Sequence, residues 1–286
     1  MAGKDEHTDI INAVDALYMY GKKDFNSFNP VAELITPEWH YSASVQILDN
    51  IQINWDNLGE FDLIKAMVDG IEKAAIPDNI VGAEFEKSFC SWYQAYHYLP
   101  REKWGVHLRY DSWLRIAALF YHRCPSILNR KIDSIKSAFL YIYVHELFHN
   151  IVENAASIME ILLGKSHMYT KYYSNVYSEA FNSSNCLEEA LSNRYLFLWA
   201  EECHIDSNFL KDHLLKQGPG YDNFIQYSGE HFSEGNRILL SQIRYGDLNP
   251  TVYDPIEQLV NICDPFRYSS IHKVPIWLHR RAKPAY

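Results

Sequence analysis

Two histidines and the glutamate between them are the residues of this chain best suited to chemistry. They form the pattern His145-Glu146-x-x-His149 within the stretch 141–150. Each residue of an α-helix turns by about 100°, so His145 and His149 would lie on one face, one turn apart along the axis. Two imidazoles in this arrangement can bind one metal ion, while Glu146 would lie near a water on that ion. The spacing therefore predicts a metal site with a carboxylate beside it that can accept a proton.

The His-Glu-Leu-Phe-His segment resembles the zincin metallopeptidases, whose catalytic zinc takes three protein ligands and one water. A later segment, Glu189-Ala190-Leu191-Ser192-Asn193, is similar to the second helix of the thermolysin-like branch, the gluzincins. The resemblance implies that His145, His149 and Glu189 bind one Zn²⁺ ion. It also implies that Glu146 is the general base and that Asn193 supports a ligating histidine.

The resemblance has limits, because it covers only the two predicted helices 132–164 and 186–203. Asn193 stands where the gluzincins have an acidic residue, so it would accept a hydrogen bond without adding a charge. The interval between His149 and Glu189 is longer than in thermolysin, which makes residues 165–185 an insertion. Glu188 competes with Glu189 as the third ligand, and the two lie about 100° apart on a helix, so only one should face the metal.

The function implied by this resemblance is hydrolysis of peptide bonds in a peptide or protein substrate, with a metal-activated water as the nucleophile and Glu146 as the base. A donor to the oxyanion is also expected, and the sequence does not choose among the candidates His167, Tyr169, Tyr172, Tyr173, His231 and His272. Two alternatives remain open. The protein could be a zincin-like peptide-binding or sensor protein that holds zinc without general proteolysis, or a structural helical protein without metal.

The helices and strands predicted around these residues indicate a helix-rich α+β fold with a small sheet. Apolar residues surround most of the predicted helix 132–164, which is typical of a central, buried helix. A strand is expected at 104–110, and its free edge could pair with an extended substrate. Residues 165–185 are predicted to form a surface excursion, Glu153 to face solvent, and Pro275 to confine a strand at 273–279 to a sheet edge. Weaker patterns predict helices at 8–21 and 256–263 and a hairpin at 41–55.

Length and composition narrow the class of protein. The 286 residues fit one domain, with an N-terminal subregion at 1–100 and a catalytic core at 101–286. A net charge of −10 argues against nucleic-acid partners and anionic membranes, because both require clustered basic residues. The N-terminus is polar, no apolar run could span a membrane, and the five cysteines are scattered, so a cytoplasmic location is expected. The sequence does not indicate an oligomeric state.

Overall fold

The structure is a computed structural model that describes residues 53–54, 60–74, 91–98, 104–124, 130–202, 206–250, 274 and 276–279. Helices dominate, and one small sheet accompanies them, which confirms the α+β class. The predicted hairpin at 41–55, apart from residues 53–54, and the predicted helices at 8–21 and 256–263 lie outside the described residues. None of the described helices is both long and apolar enough to cross a membrane.

The described elements follow one another in this order: β1 (Ile53–Asn54), α1 (Glu60–Gly70), β2 (Ser91–Gln94), β3 (Gly105–Arg109), α2 (Tyr110–Arg123), α3 (Arg130–Leu163), α4 (Met168–Tyr172), a π-helical turn (Tyr173–Tyr177), α5 (Ser178–Ala180), α6 (Leu187–Glu202), α7 (Ser207–Leu214), a 3₁₀ helix (Tyr221–Tyr227), α8 (Glu230–Tyr245) and β4 (Ile276–His279).

Helix α3 is the centre of the fold, as its apolar pattern predicts. It packs against α1, α2, α4, α6 and α8 and against the strands β2 and β3. Residues all round its circumference are buried, including Ile135, Phe148 and Ile151. The indole of Trp113 on α2 donates a hydrogen bond of 2.8 Å to the carbonyl of Ile135, which fixes α2 along this helix. A helix buried on every side can carry polar side chains only where other elements supply their partners.

The sheet has the strand order β1-β4-β3-β2, in which β2 is antiparallel to β3 and the other pairs are parallel. Two predictions about this sheet are wrong. Strand β4 is interior, since it pairs with both β1 and β3, so the prediction that Pro275 confines this strand to an edge is wrong. Strand β3 is also interior, so the described strand at the sheet edge beside the predicted site is β2.

The register of β2 and β3 decides which side chains of β2 face the helices. Ser91 is opposite Leu108, and Trp92 is opposite His107. Successive side chains of a strand point to opposite faces, so Ser91 and Tyr93 face α3 while Trp92 faces away. Trp92 stacks on His107 with ring centroids 4.8 Å apart, and both are on the face away from α3. The edge strand therefore presents a hydroxyl and a phenol to the predicted metal helix.

Candidate metal centre

The two histidines of the motif lie on α3 at the point where α6 packs against it. Their rings are 5.4 Å apart between centroids, and their side chains are only 14% and 9% exposed. The neighbouring residues Val144, Leu147 and Phe148 are buried in the core, which fixes the backbone beneath the imidazoles. The helix thus presents both rings, largely shielded from water, toward one point.

Glu189 on α6 reaches that point from the opposite side. Its Oε2 is 3.1 Å from Nε2 of His145 and 3.7 Å from Nε2 of His149. Tetrahedral ligands at about 2.0–2.1 Å from zinc are separated from one another by roughly 3.4 Å, so the two distances bracket that value. One ligand atom from each of the three residues lies within 4.8 Å of the others. This group is close enough to hold a metal ion.

The other nitrogen of each ring is already engaged. Nδ1 of His145 is 2.9 Å from Oδ1 of Asn193, and Nδ1 of His149 is 2.7 Å from Oε1 of Glu188. The Asn193 amide nitrogen donates to Oε1 of Gln217 and to the carbonyl of Tyr221, which leaves its oxygen facing His145. A carboxylate or amide oxygen can only accept, so both Nδ1 atoms donate and both Nε2 atoms face Glu189.

The structure distinguishes the contacts of Glu188 from those of Glu189, between which the sequence does not decide. Glu189 faces the Nε2 atoms, while Glu188 supports His149 from behind through its Nδ1. Both carboxylates are buried, at 2% and 4% exposure respectively. The hydroxyl of Tyr177 donates to Oε1 of Glu189, and that of Tyr172 donates to Oε2 of Glu188, each at 2.5 Å. Every oxygen of the pair therefore has a partner.

These two tyrosines belong to residues 165–185, which lie largely at the surface along one side of the cleft, as predicted, but which also direct several aromatic rings into the core. The segment forms α4, the π-helical turn and α5, and Tyr172 and Val176 are buried. Its i, i+4 spacing of aromatic residues at 169, 173, 177 and 181 was the signal for this, because that spacing aligns side chains on one helical face. π-helical turns often occur at functional sites.

Glu146 lies beside the cluster and is only 5% exposed. The hydroxyl of Ser91, on the edge strand, donates to its Oε1 at 2.5 Å. Burial raises the pKa of Glu146, although the charges of His145 and His149 and the hydrogen bond from Ser91 act in the opposite direction. A carboxylate whose pKa is raised toward neutrality is better suited to take up and return a proton.

Strong electrostatic coupling connects the metal-binding candidates. Burial alone would lower the pKa of His149, but the charge of Glu189 and the hydrogen bond to Glu188 outweigh it and raise that pKa to about 10. Burial alone would raise the pKa of Glu189, but the charge of His149 and the hydrogen bond from His145 lower it to about 2. The raised pKa keeps a proton on His149 in the absence of an ion, so an ion bound at this group would have to displace it.

A cleft of about 610 Å³ opens over the cluster. Helix α3 forms its floor, β2 forms one side, and rings of the segment 169–181 form the other. Of the oxyanion-donor candidates, Tyr169 and Tyr173 line this cleft, whereas Tyr172 lies buried against Glu188. His167 and His231 are exposed and do not line the cleft, and His272 lies outside the described residues.

No known protein family, curated protein or solved structure matches this chain. The functional interpretation therefore rests on the geometry of the site itself.

Glu153 is the residue near the cleft that the sequence places wrongly. It was predicted to face solvent, yet it is completely buried and accepts four hydrogen bonds. The donors are the hydroxyl of Tyr93, the backbone N–H groups of Tyr96 and His97, and Nδ1 of His97. These bonds anchor the end of β2 to α3. A charge this deeply buried is tolerated because each oxygen has at least two donors.

A second carboxylate on the same helix anchors the opposite side of the cleft. Oε1 of Glu160 accepts hydrogen bonds from the backbone N–H groups of Met168 and Tyr169 at the start of α4. Its other oxygen is 3.6 Å from Nε2 of His97. His97 thus lies between Glu153 and Glu160, and its ring packs against Tyr169 at 4.9 Å. Both sides of the cleft are attached to α3 through one linked group of charges.

Proposed function

We propose that this protein is a zinc-dependent metallopeptidase with a zincin-like fold of the gluzincin type. The observation that carries the proposal is the convergence of Nε2 of His145, Nε2 of His149 and Oε2 of Glu189 at the floor of a cleft. Both Nδ1 atoms are committed to acceptors, so the ring nitrogens that remain are the ones that converge.

The donor set fits zinc. Two imidazole nitrogens and one carboxylate oxygen are the ligands of one known class of catalytic zinc sites, which keep a fourth position for water. The hydrogen bonds from Nδ1 to Asn193 and Glu188 correspond to the supporting contacts that metal-bound histidines usually make. A bound zinc ion would supply Lewis acidity and lower the pKa of a bound water toward 7.

Residues around the proposed ion would transfer the proton and position the ligands. Glu146 would accept the proton of the attacking water and return it to the leaving amine, a role that suits its buried carboxyl. Asn193 and Glu188 hold the two imidazoles in orientation, and Tyr177 holds Glu189. The cleft above the cluster would admit a substrate to it.

Metal analysis combined with peptide hydrolysis tests the proposal. The wild-type chain is expected to bind one zinc ion and to cleave peptides. Glu146→Gln is expected to retain the ion and to lose roughly 10²–10⁴-fold in kcat, as for loss of a general base. Glu179→Gln, which changes an exposed carboxylate on α5, serves as the matched control. Hydrolysis that is unchanged in Glu146→Gln, or a chain that does not bind zinc, would overturn the proposal.

One contact favours a second function, in which the site binds zinc and a peptide without cleaving it. Ser91 occupies one oxygen of Glu146, the group that hydrolysis would use as base. If this contact blocks the base, wild type binds peptides without cleaving them and Ser91→Ala gains hydrolysis. Cleavage by wild type that decreases or stays constant in Ser91→Ala would exclude this alternative.

A further inference from the structure

Behind the metal centre, three hydrogen bonds lead from His145 back to the helix that carries it. Nδ1 of His145 lies 2.9 Å from Oδ1 of Asn193, and Nδ2 of Asn193 donates to Oε1 of Gln217 at 2.6 Å. Nε2 of Gln217 then donates to the hydroxyl of Tyr141 at 2.6 Å. Tyr141 is on α3, one turn before His145. Each donor points away from His145, so the three bonds together favour a proton on Nδ1 and leave Nε2 for a metal ion.

The orientation of the Asn193 amide decides this arrangement, because either end of an amide can face an imidazole. Asn193 is completely buried, and its nitrogen also donates to the backbone carbonyl of Tyr221 at 2.9 Å. A carbonyl can only accept, so it holds the nitrogen away from His145. Both acceptors belong to residues 217–221, which we term the support turn. An acidic residue would present an oxygen to His145 in either orientation and would need no such turn.

The support turn is packed closely against the connection that precedes α6. Gly220 is buried and has a φ of +93°, and a Cβ atom there would lie 2.7 Å from the carbonyl oxygen of Ser183. Only glycine fits this combination of conformation and close approach. The ring of Tyr221, next in the chain, lies 5.9 Å from that of His145, with an angle of 18° between their planes. The turn thus has a fixed position relative to both α6 and His145.

On the basis of the zinc site in the proposed function, we infer that Gln217 is a positioning residue of the metal centre, and that the support turn orients His145 through the Asn193 amide. The turn supplies a fixed direction where the gluzincins have the charge of an acidic residue. Gln217 and Gly220 are not among the residues that could bind the ion. Changing either of them should nevertheless lower the affinity for zinc.

The test measures zinc affinity of the full chain by competition with a chromophoric chelator. Gly220→Ala and Gln217→Leu should each reduce the affinity roughly tenfold, the lower end of the range for residues that support metal ligands. Gln217→Glu should retain the affinity, because one carboxylate oxygen still accepts from Asn193 and the hydroxyl of Tyr141 can donate to the other. Gly229→Ala is the matched control for Gly220→Ala, since Gly229 also has a positive φ, of 58°, but a Cβ atom there meets nothing within 4 Å.

The exposed Gln226 provides the control for the change at Gln217, as Gln226→Leu should leave zinc affinity unchanged. Melting temperatures of the metal-free chains separate weaker binding from loss of folding. NMR spectra of the imidazole nitrogens in the zinc-loaded chain report whether Nδ1 of His145 carries the proton, as expected for wild type and Gln217→Glu. If Gly220→Ala does not fold, the comparison of Gln217→Leu with Gln217→Glu decides.

The outcomes distinguish this inference from the proposed function. Equal zinc affinity in wild type, Gln217→Leu and Gln217→Glu would refute the inference and leave the peptidase proposal intact. The expected losses of affinity in a chain that binds zinc but cleaves no peptide would refute the peptidase proposal and retain the inference. A wild-type chain that does not bind zinc would overturn both.

Discussion

Replacing Glu188 and Glu189 one at a time tests the roles that the structure gives to these adjacent carboxylates. Glu188→Gln should retain a neutral hydrogen bond to Nδ1 of His149 and lose only its charge assistance. A hydrogen bond to a charged group contributes about 1.5–3 kcal/mol, compared with about 0.5–1.5 kcal/mol for a neutral one. The difference of roughly 1–1.5 kcal/mol corresponds to about a tenfold loss of zinc affinity. This agrees with the lower end of the range for supporting residues.

Glu189→Gln should be much more damaging, because it replaces a carboxylate oxygen 3.1 Å from Nε2 of His145 with a neutral amide. The assay is competition for zinc with a chromophoric chelator at fixed pH, together with thermal unfolding of each chain. Tyr172→Phe is a matched control for Glu188, because it removes the hydroxyl on the other oxygen and leaves the contact with His149. If Glu188→Gln abolished zinc binding while Glu189→Gln retained it, the assignment of ligand and support would be reversed and our reasoning refuted.

Three further predictions concern the surroundings of the site. Asn193→Asp should lower the free energy of unfolding by about 1–3 kcal/mol in denaturant titrations. The reason is that a carboxylate oxygen would replace the amide nitrogen that donates to Gln217 and to the carbonyl of Tyr221, and would face these two acceptors. An unchanged free energy of unfolding would contradict the orientation assigned to the Asn193 amide. Glu153→Leu should cost about 3–5 kcal/mol by the same measurement, because four donors would lose their acceptor, and a loss below 1 kcal/mol would count against its anchoring role. Burial would lower the pKa of His97, but the hydrogen bond and charge of Glu153 and the charge of Glu160 raise it, so the stability it contributes is complete below pH 6.5 and is lost as pH rises through the raised pKa. Melting temperatures of wild type and His97→Asn should therefore converge as the pH is raised above 6.5, and parallel curves would exclude this linkage.

The sequence predicts the central elements of the site because their signals are local. Two histidines one turn apart and a long apolar pattern are enough to place His145 and His149 on a buried helix. The sequence alone could not decide between Glu188 and Glu189. These adjacent residues point about 100° apart on α6, and which of them faces the Nε2 atoms depends on how α6 is oriented relative to α3. Asn193 illustrates the same limit, since its orientation depends on Gln217 and the backbone of Tyr221, which are distant in sequence.

The wrong predictions share a physical cause, which is that tertiary partners decided them. Strand β2 was not predicted, because its four residues are all half-buried and lack the alternation of buried and exposed positions that is typical of a strand with one buried face; without β2, strand β3 was expected to have a free edge. Pro275 removes a donor only at its own position, and β4 begins after it, so the strand can pair on both sides. From sequence alone, Glu153 cannot be distinguished from a solvent-exposed helix residue. In the folded chain, the turn after β2 provides the backbone N–H groups that donate to it. Charged residues on a helix carry no local mark of such partners.

The carboxylates that bind β2, the turn after it and the start of α4 are Glu146, Glu153 and Glu160, spaced seven residues apart on α3. Seven residues advance a helix by about 10.5 Å and return it to within roughly 20° of the same direction. The helix thus sets how far apart the points lie at which the two sides of the cleft are attached to it. Inserting or deleting one residue between Glu146 and Glu160 would rotate one attachment point by about 100° relative to the other, whereas connecting loops elsewhere can vary in length without changing this spacing.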